Sequence, residues 1–116
     1  MGWYVARWAL AFVFTEAVEV GVYRWALRWA EGERFAHPWL AALVPSLVTH
    51  PFVWFAFPYL PLPWVWMVVA AETFAVVVEA LLLWRWKVPW ALGWSFLANG
   101  LSLGLGLLSR SIFGLP

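Results

Sequence analysis

Four glutamates, Glu16, Glu19, Glu72 and Glu79, stand inside otherwise apolar runs, and one histidine, His50, stands inside another. In "FTEAVEVGVYRW" (Phe14–Trp25), Glu16, Glu19 and Tyr23 fall at i, i+3 and i+7, on one side of a helix. Glu72 and Glu79 are i and i+7 and also share a face. Ser95, Asn99 and Ser102 form a polar stripe at i, i+4 and i+7. Carboxylates and an imidazole in such surroundings can move a proton or small cation, ligate a metal, or hold helices together by hydrogen bonds.

Composition identifies the surroundings. The chain has 116 residues, 66% hydrophobic and 11% charged, with mean hydropathy +0.82. Soluble domains are nearer half apolar and a quarter charged. So short a chain cannot hide that much apolar surface in one aqueous core, so the expected solvent is the lipid bilayer. Twelve tryptophans fit the same expectation, because the indole ring favours the membrane–water interface. Cysteine is absent, which excludes disulfides, thiolate metal sites and cysteine nucleophiles. A net charge of +1 without a basic stripe gives no case for nucleic acid as a partner.

The elements that must position these groups are four apolar segments of spanning length, at about 3–29, 38–57, 63–84 and 89–109. The reading is all-α: a polytopic integral membrane protein, one compact four-helix transmembrane bundle over residues 1–116. The N-terminal run has an arginine before it but no small-residue cleavage site, so it reads as a retained first span. Short connectors make successive helices antiparallel. Pro38, Pro63 and Pro89 each fall at a proposed helix start, where the missing N–H is harmless. Arg24, Arg28, Arg34, Arg85 and Lys87 flank the first and third connectors, while Arg7 and Arg110 lie toward the other side. The positive-inside rule then puts those connectors in the cytoplasm and both termini outside, in a bacterial-type inner membrane; Glu31 and Glu33 count for little.

Depth brings the polar residues together. Glu16, Glu72, His50 and Asn99 each lie near the midpoint of a different span, so all four helices deliver a polar group to one level. Glu19 and Glu79 extend that cluster toward the cytoplasmic side. An ionised carboxylate at a span's centre costs about 2.5–3.5 kcal/mol on insertion scales. The four must therefore be protonated, paired, hydrogen-bonded, metal-bound or hydrated. Arg24 is placed to reach back toward Glu19 or Glu79.

Two further patterns bear on mechanism. The hairpins resemble each other: Glu19, "YRW", Pro38–Trp39 and Ser46–His50 in the first, then Glu79, "WRW", Pro89–Trp90 and Ser95–Asn99 in the second. A duplication would relate the copies by an axis along the membrane normal. Pro45, Pro51 and Pro58 punctuate the second span, and Pro51 removes the donor for the carbonyl of Leu47 beside His50. Gly100-x-x-x-Gly104, with Gly93 and Gly106, permits close helix approach within the bundle or in a homo-oligomer.

Three function classes follow. In the first, Glu16, Glu19, His50, Glu72, Glu79 and Asn99 bind a proton or small cation during transport or conduction. In length, span count and a first-helix glutamate the chain resembles the small multidrug resistance transporters, which implies a dimer exchanging protons for cationic solutes. Its third span departs from that family, carrying Glu72 and Glu79 in place of a Gly- and Trp-containing pattern. In the second class a metal or cofactor binds, with Glu16, His50 and Glu72 as metal ligands or His50 as an axial ligand to a tetrapyrrole. In the third the chain is an accessory or assembly subunit of a larger membrane complex. Ser46 and His50, at i and i+4, read as helix packing, since nothing else marks an oxyanion site; enzyme activity is the less favoured expectation.

Overall fold

A computed structural model describes residues 2–30 and 37–113. It contains four helices: α1 (Gly2–Ala26), α2 (Pro38–Phe55), α3 (Trp64–Arg85) and α4 (Ala91–Phe113). A 3-10 turn, Leu27–Trp29, continues α1, and another, Phe57–Tyr59, follows α2. No strand occurs among the described residues. The all-helical class and the count of four agree with the sequence. Glu31, Glu33 and Arg34 of the first connector lie outside the described residues.

The polarity of the bundle is inverted relative to a soluble protein. Its buried residues include Glu16, Glu19, Ser46, Thr49, His50, Glu79, Ser95, Asn99 and Ser102. Its exposed residues include Val13, Leu47, Phe52, Val69, Val77, Leu81 and Phe96, large apolar side chains drawn from all four helices. Three helices are long and apolar enough to cross a membrane: α2 with its following turn (Pro38–Tyr59), α3, and α4 over Ala91–Leu108. The expectation of four such segments is thereby narrowed. Every eighteen-residue stretch of α1 contains at least three of Arg7, Glu16, Glu19 and Arg24. The longest dimension, 43 Å, matches a bilayer with its headgroup layers, about 40–45 Å.

Local chemistry sets the helix ends. Pro38 opens α2 at its first position, as expected. Pro63 is instead the residue before α3, and Pro89 lies two residues before α4. At the end of α3, Val88 N–H donates to the Leu83 carbonyl at 3.0 Å and Lys87 N–H to that of Trp84 at 2.9 Å. This is a Schellman motif, with the apolar partners Val88 and Leu83 both in the core. Lys87 occupies the left-handed position, φ 61°, where glycine is usual. Trp90 also has positive φ, 62°, which delays α4 to Ala91.

Around the bundle, α1 packs against α2 and α4, and α3 packs against the same two helices. Thus α1 and α3 face each other across the axis, as do α2 and α4. Among the described residues, an apolar core cluster is formed by Tyr23, Ala26, Leu27, Ala42, Leu83, Val88 and Ala98. It fills the end of the bundle that carries the first and third connectors.

Candidate functional site

Two of the four glutamates form the hydrogen-bonded centre, and each is held by side chains from neighbouring helices. Glu19 on α1 is 2% exposed; Ser46 Oγ of α2 donates to its Oε1 at 2.7 Å, and Ser102 Oγ of α4 to its Oε2 at 2.7 Å. Glu79 on α3 is 1% exposed and takes three donors. Tyr23 of α1 donates its hydroxyl to Oε1, Asn99 Nδ2 of α4 donates to the same oxygen at 3.1 Å, and Thr49 Oγ1 of α2 donates to Oε2 at 2.5 Å.

Helical spacing produces this convergence. Ser46 and Thr49 are i and i+3 on α2, and Asn99 and Ser102 are i and i+3 on α4, so each pair presents two donors on one face. Outer contacts fix the donors in turn. Asn99 Nδ2 also donates to the Ser95 carbonyl at 2.9 Å, Ser102 Oγ lies 3.1 Å from the Asn99 carbonyl, and Ser95 Oγ donates to the Val76 carbonyl of α3 at 2.7 Å. Among the described residues, no arginine or lysine pairs with either carboxylate. Arg24 does not reach back as expected. Its guanidinium lies over the Trp39 ring, 5.5 Å from the centroid, and its Nε is buried without a hydrogen bond among the described residues.

The carboxylates form the floor of a cavity of about 380 Å³. Glu19, Ser46, Thr49, Glu79, Asn99 and Ser102 line its inner part. Thr15, His50 and Glu72 line the wall above them, and Trp54, Pro58, Trp64, Met67 and Leu107 lie toward the mouth. The cavity therefore runs from the carboxylate pair to the end bearing the second connector. His50 packs edge-on to Phe12 with centroids 5.2 Å apart, and stacks with Trp54 at 6.3 Å.

Sequence reasoning placed the centre at Glu16, Glu72, His50 and Asn99, with Glu19 and Glu79 as its extension. The order is reversed. Glu19, Glu79 and Asn99 share the hydrogen-bonded centre, while Glu72 is a half-buried wall residue. Glu16 is 8% exposed, is absent from the cavity wall, and neither of its oxygens has a hydrogen-bond partner among the described residues. Thr49 was missed; its signal was the Ser46–Thr49 spacing, which matches Asn99–Ser102. No group of three or more histidines, aspartates or glutamates is arranged to hold a metal ion among the described residues. Gly100 and Gly104 do not serve packing inside the bundle: both are exposed, and an added Cβ would meet nothing within 4 Å.

The chain matches no protein-family model, no curated protein and no solved structure. The resemblance to the small multidrug resistance transporters therefore rests on length, helix count and a first-helix glutamate alone.

Proposed function

We propose that this chain is an integral membrane protein whose Glu19–Glu79 pair binds a proton or small cation, entering through the cavity, in transport or conduction across the bilayer. The observation that carries the reading is a carboxylate pair, held only by neutral donors, at the floor of a cavity inside an apolar-surfaced bundle. Neutral donors orient a carboxylate but leave its charge uncompensated, and in a low dielectric that charge strongly attracts a cation. The membrane reading is supported by the inverted polarity and by tryptophans near helix ends. Trp25, Trp29, Trp39, Trp84 and Trp90 are exposed at one end of the bundle, and Trp3, Trp64 and Trp66 at the other, as two interfacial belts would require. Arg24, Arg28, Arg85 and Lys87 lie at the first of these ends, which favours a cytoplasmic position for it.

The test is ion flux in proteoliposomes. Purified protein is reconstituted, a potassium diffusion potential is imposed, and internal pH and sodium are read with entrapped dyes. Flux should be present in the wild type and lost in Glu19→Gln and in Glu79→Gln. Equal flux in the wild type and both variants, or none in the wild type, would remove the proposal. One feature favours the accessory-subunit alternative: the open glycine face of α4 would admit a partner helix.

A further inference from the structure

The cavity ends abruptly, and it ends at the same level on all four helices. Its last lining residues are Glu19, Ser46, Glu79 and Asn99. Inward of them, Tyr23, Ala42, Leu83 and Ala98 belong to the apolar core, with the buried Ser95 one turn from Asn99 on α4. All four are fully buried, at 0% exposure. Two of them are alanines, and Ala26 just beyond is a third, so the bulk of this cluster comes from Tyr23, Leu27 and Leu83, with Val88 beside Leu83. Of those three, only Tyr23 is also bonded to the site, through its hydroxyl on Glu79.

We propose that Tyr23 is the inner gate of the carboxylate site, its ring closing the axis and its hydroxyl latching the gate to Glu79. This rests on the transport reading above, which requires the site to reach both sides of the membrane. A single carboxylate oxygen has two lone pairs, and Glu79 Oε1 already accepts from both Tyr23 and Asn99. A cation seated on that oxygen must displace one of them. Asn99 is held from behind by the Ser95 carbonyl at 2.9 Å, whereas the Tyr23 hydroxyl donates to Glu79 and is otherwise touched by the long 3.4 Å contact it accepts from Asn99 Nδ2. Occupancy of the site thus releases the latch, and the released ring swings toward the alanine-lined side. Tyr23 acts on the ion only through Glu79; it is a positioning and gating residue.

The absence of cysteine allows a direct test. Ala75→Cys places a thiol on the cavity wall one turn from Glu79. In proteoliposomes, a membrane-impermeant thiosulfonate is added to one face at a time. Tyr59→Cys in the second connector and Lys87→Cys in the third identify the two faces. With Tyr23 present, Ala75→Cys should react from the Tyr59 face and be protected from the Lys87 face. Tyr23→Phe, which keeps the ring and removes the latch, should raise the rate from the Lys87 face roughly tenfold or more, as loss of a hydrogen bond to a charged group implies. Tyr23→Ala should raise it further. Equal reactivity from both faces with Tyr23 present overturns the proposal, and so does an unchanged Lys87-face rate in Tyr23→Phe. Labelling needs no flux, so a failure of the gate is distinguishable from a failure of the transport reading.

Discussion

Glu19 and Glu79 face each other from α1 and α3, and each takes one hydrogen bond from α2 and one from α4. The donors are exchanged between hairpins. Glu19 takes Ser46 of its own hairpin and Ser102 of the other, while Glu79 takes Asn99 of its own and Thr49 of the other. Exchanging the hairpins maps Ser46 onto Asn99 and Thr49 onto Ser102. Burial follows the same mapping: Ala42, Pro45, Ser46 and Thr49 are buried on α2, as are Ser95, Ala98, Asn99 and Ser102 on α4. The pair is thus a joint between two halves, and neither hairpin alone supplies a full set of donors.

That joint sets an order of stabilities. Glu79 satisfies three donors and Glu19 two, and a buried donor left unsatisfied costs about 1–3 kcal/mol. Glu79→Ala should therefore destabilise the bundle more than Glu19→Ala, by about the cost of one such donor. Unfolding in detergent, followed by tryptophan fluorescence, gives the ranking. Equal costs for the two variants would mean that the third donor contributes nothing.

The exchanged donors make a second prediction about coupling. Ser46→Ala and Ser102→Ala should each cost about 0.6 kcal/mol, the average for a side-chain hydrogen bond between membrane helices. Their combination should cost more than the sum, because Glu19 then loses both donors described for it. Ser46→Ala with Asn99→Ala touches different carboxylates and should come closer to additivity. A double-mutant cycle on unfolding free energies separates the two cases.

The four helices were legible because apolar runs, short connectors and prolines are read locally. Glu19 and Glu79 were recognised as candidates, but not as the centre. Depth was judged from span midpoints, and helix ends shift that estimate: Trp90 takes positive φ, and α4 starts at Ala91, two residues later than the expected 89. Rotation about each helix axis was harder still. Glu16 and Glu19 are three residues apart on one side of α1 and both are buried, so periodicity could not say that Glu16 avoids the cavity wall while Glu19 lines it. The hairpin resemblance read from residue types differs in register from the hydrogen-bond pattern. Ser46 and His50 were set against Ser95 and Asn99 by residue type, whereas the hydrogen bonds set Ser46 and Thr49 against Asn99 and Ser102.

Lys87 offers a stabilising change. A non-glycine residue in the left-handed region carries roughly 1–2 kcal/mol of strain. Glycine there relieves it but gives back about 0.4–1 kcal/mol through a more flexible unfolded chain. Lys87 is exposed and its backbone completes the Schellman motif whichever side chain it bears. Lys87→Gly should raise stability by about 0.5–1 kcal/mol, the difference between these effects. An unfolding midpoint that falls would show that the lysine side chain contributes more than the strain costs.

The glycines of α4 separate packing within the bundle from packing outside it. Gly100 and Gly104 are exposed, and a Cβ at either would meet nothing within 4 Å. Leucine there gains helix propensity of up to about 1 kcal/mol per site, and its Cβ meets nothing within 4 Å. Gly100→Leu with Gly104→Leu should therefore leave the unfolding midpoint of the isolated bundle unchanged or higher. If this face approaches a second helix closely, as the small-xxx-small spacing suits, the same double variant lowers any self-association. Sedimentation in detergent, run beside the unfolding measurement, reads both effects. A lowered midpoint in the monomer would place these glycines against another helix of the same chain and contradict the open face. An unchanged midpoint with reduced association would make α4 the helix through which copies meet.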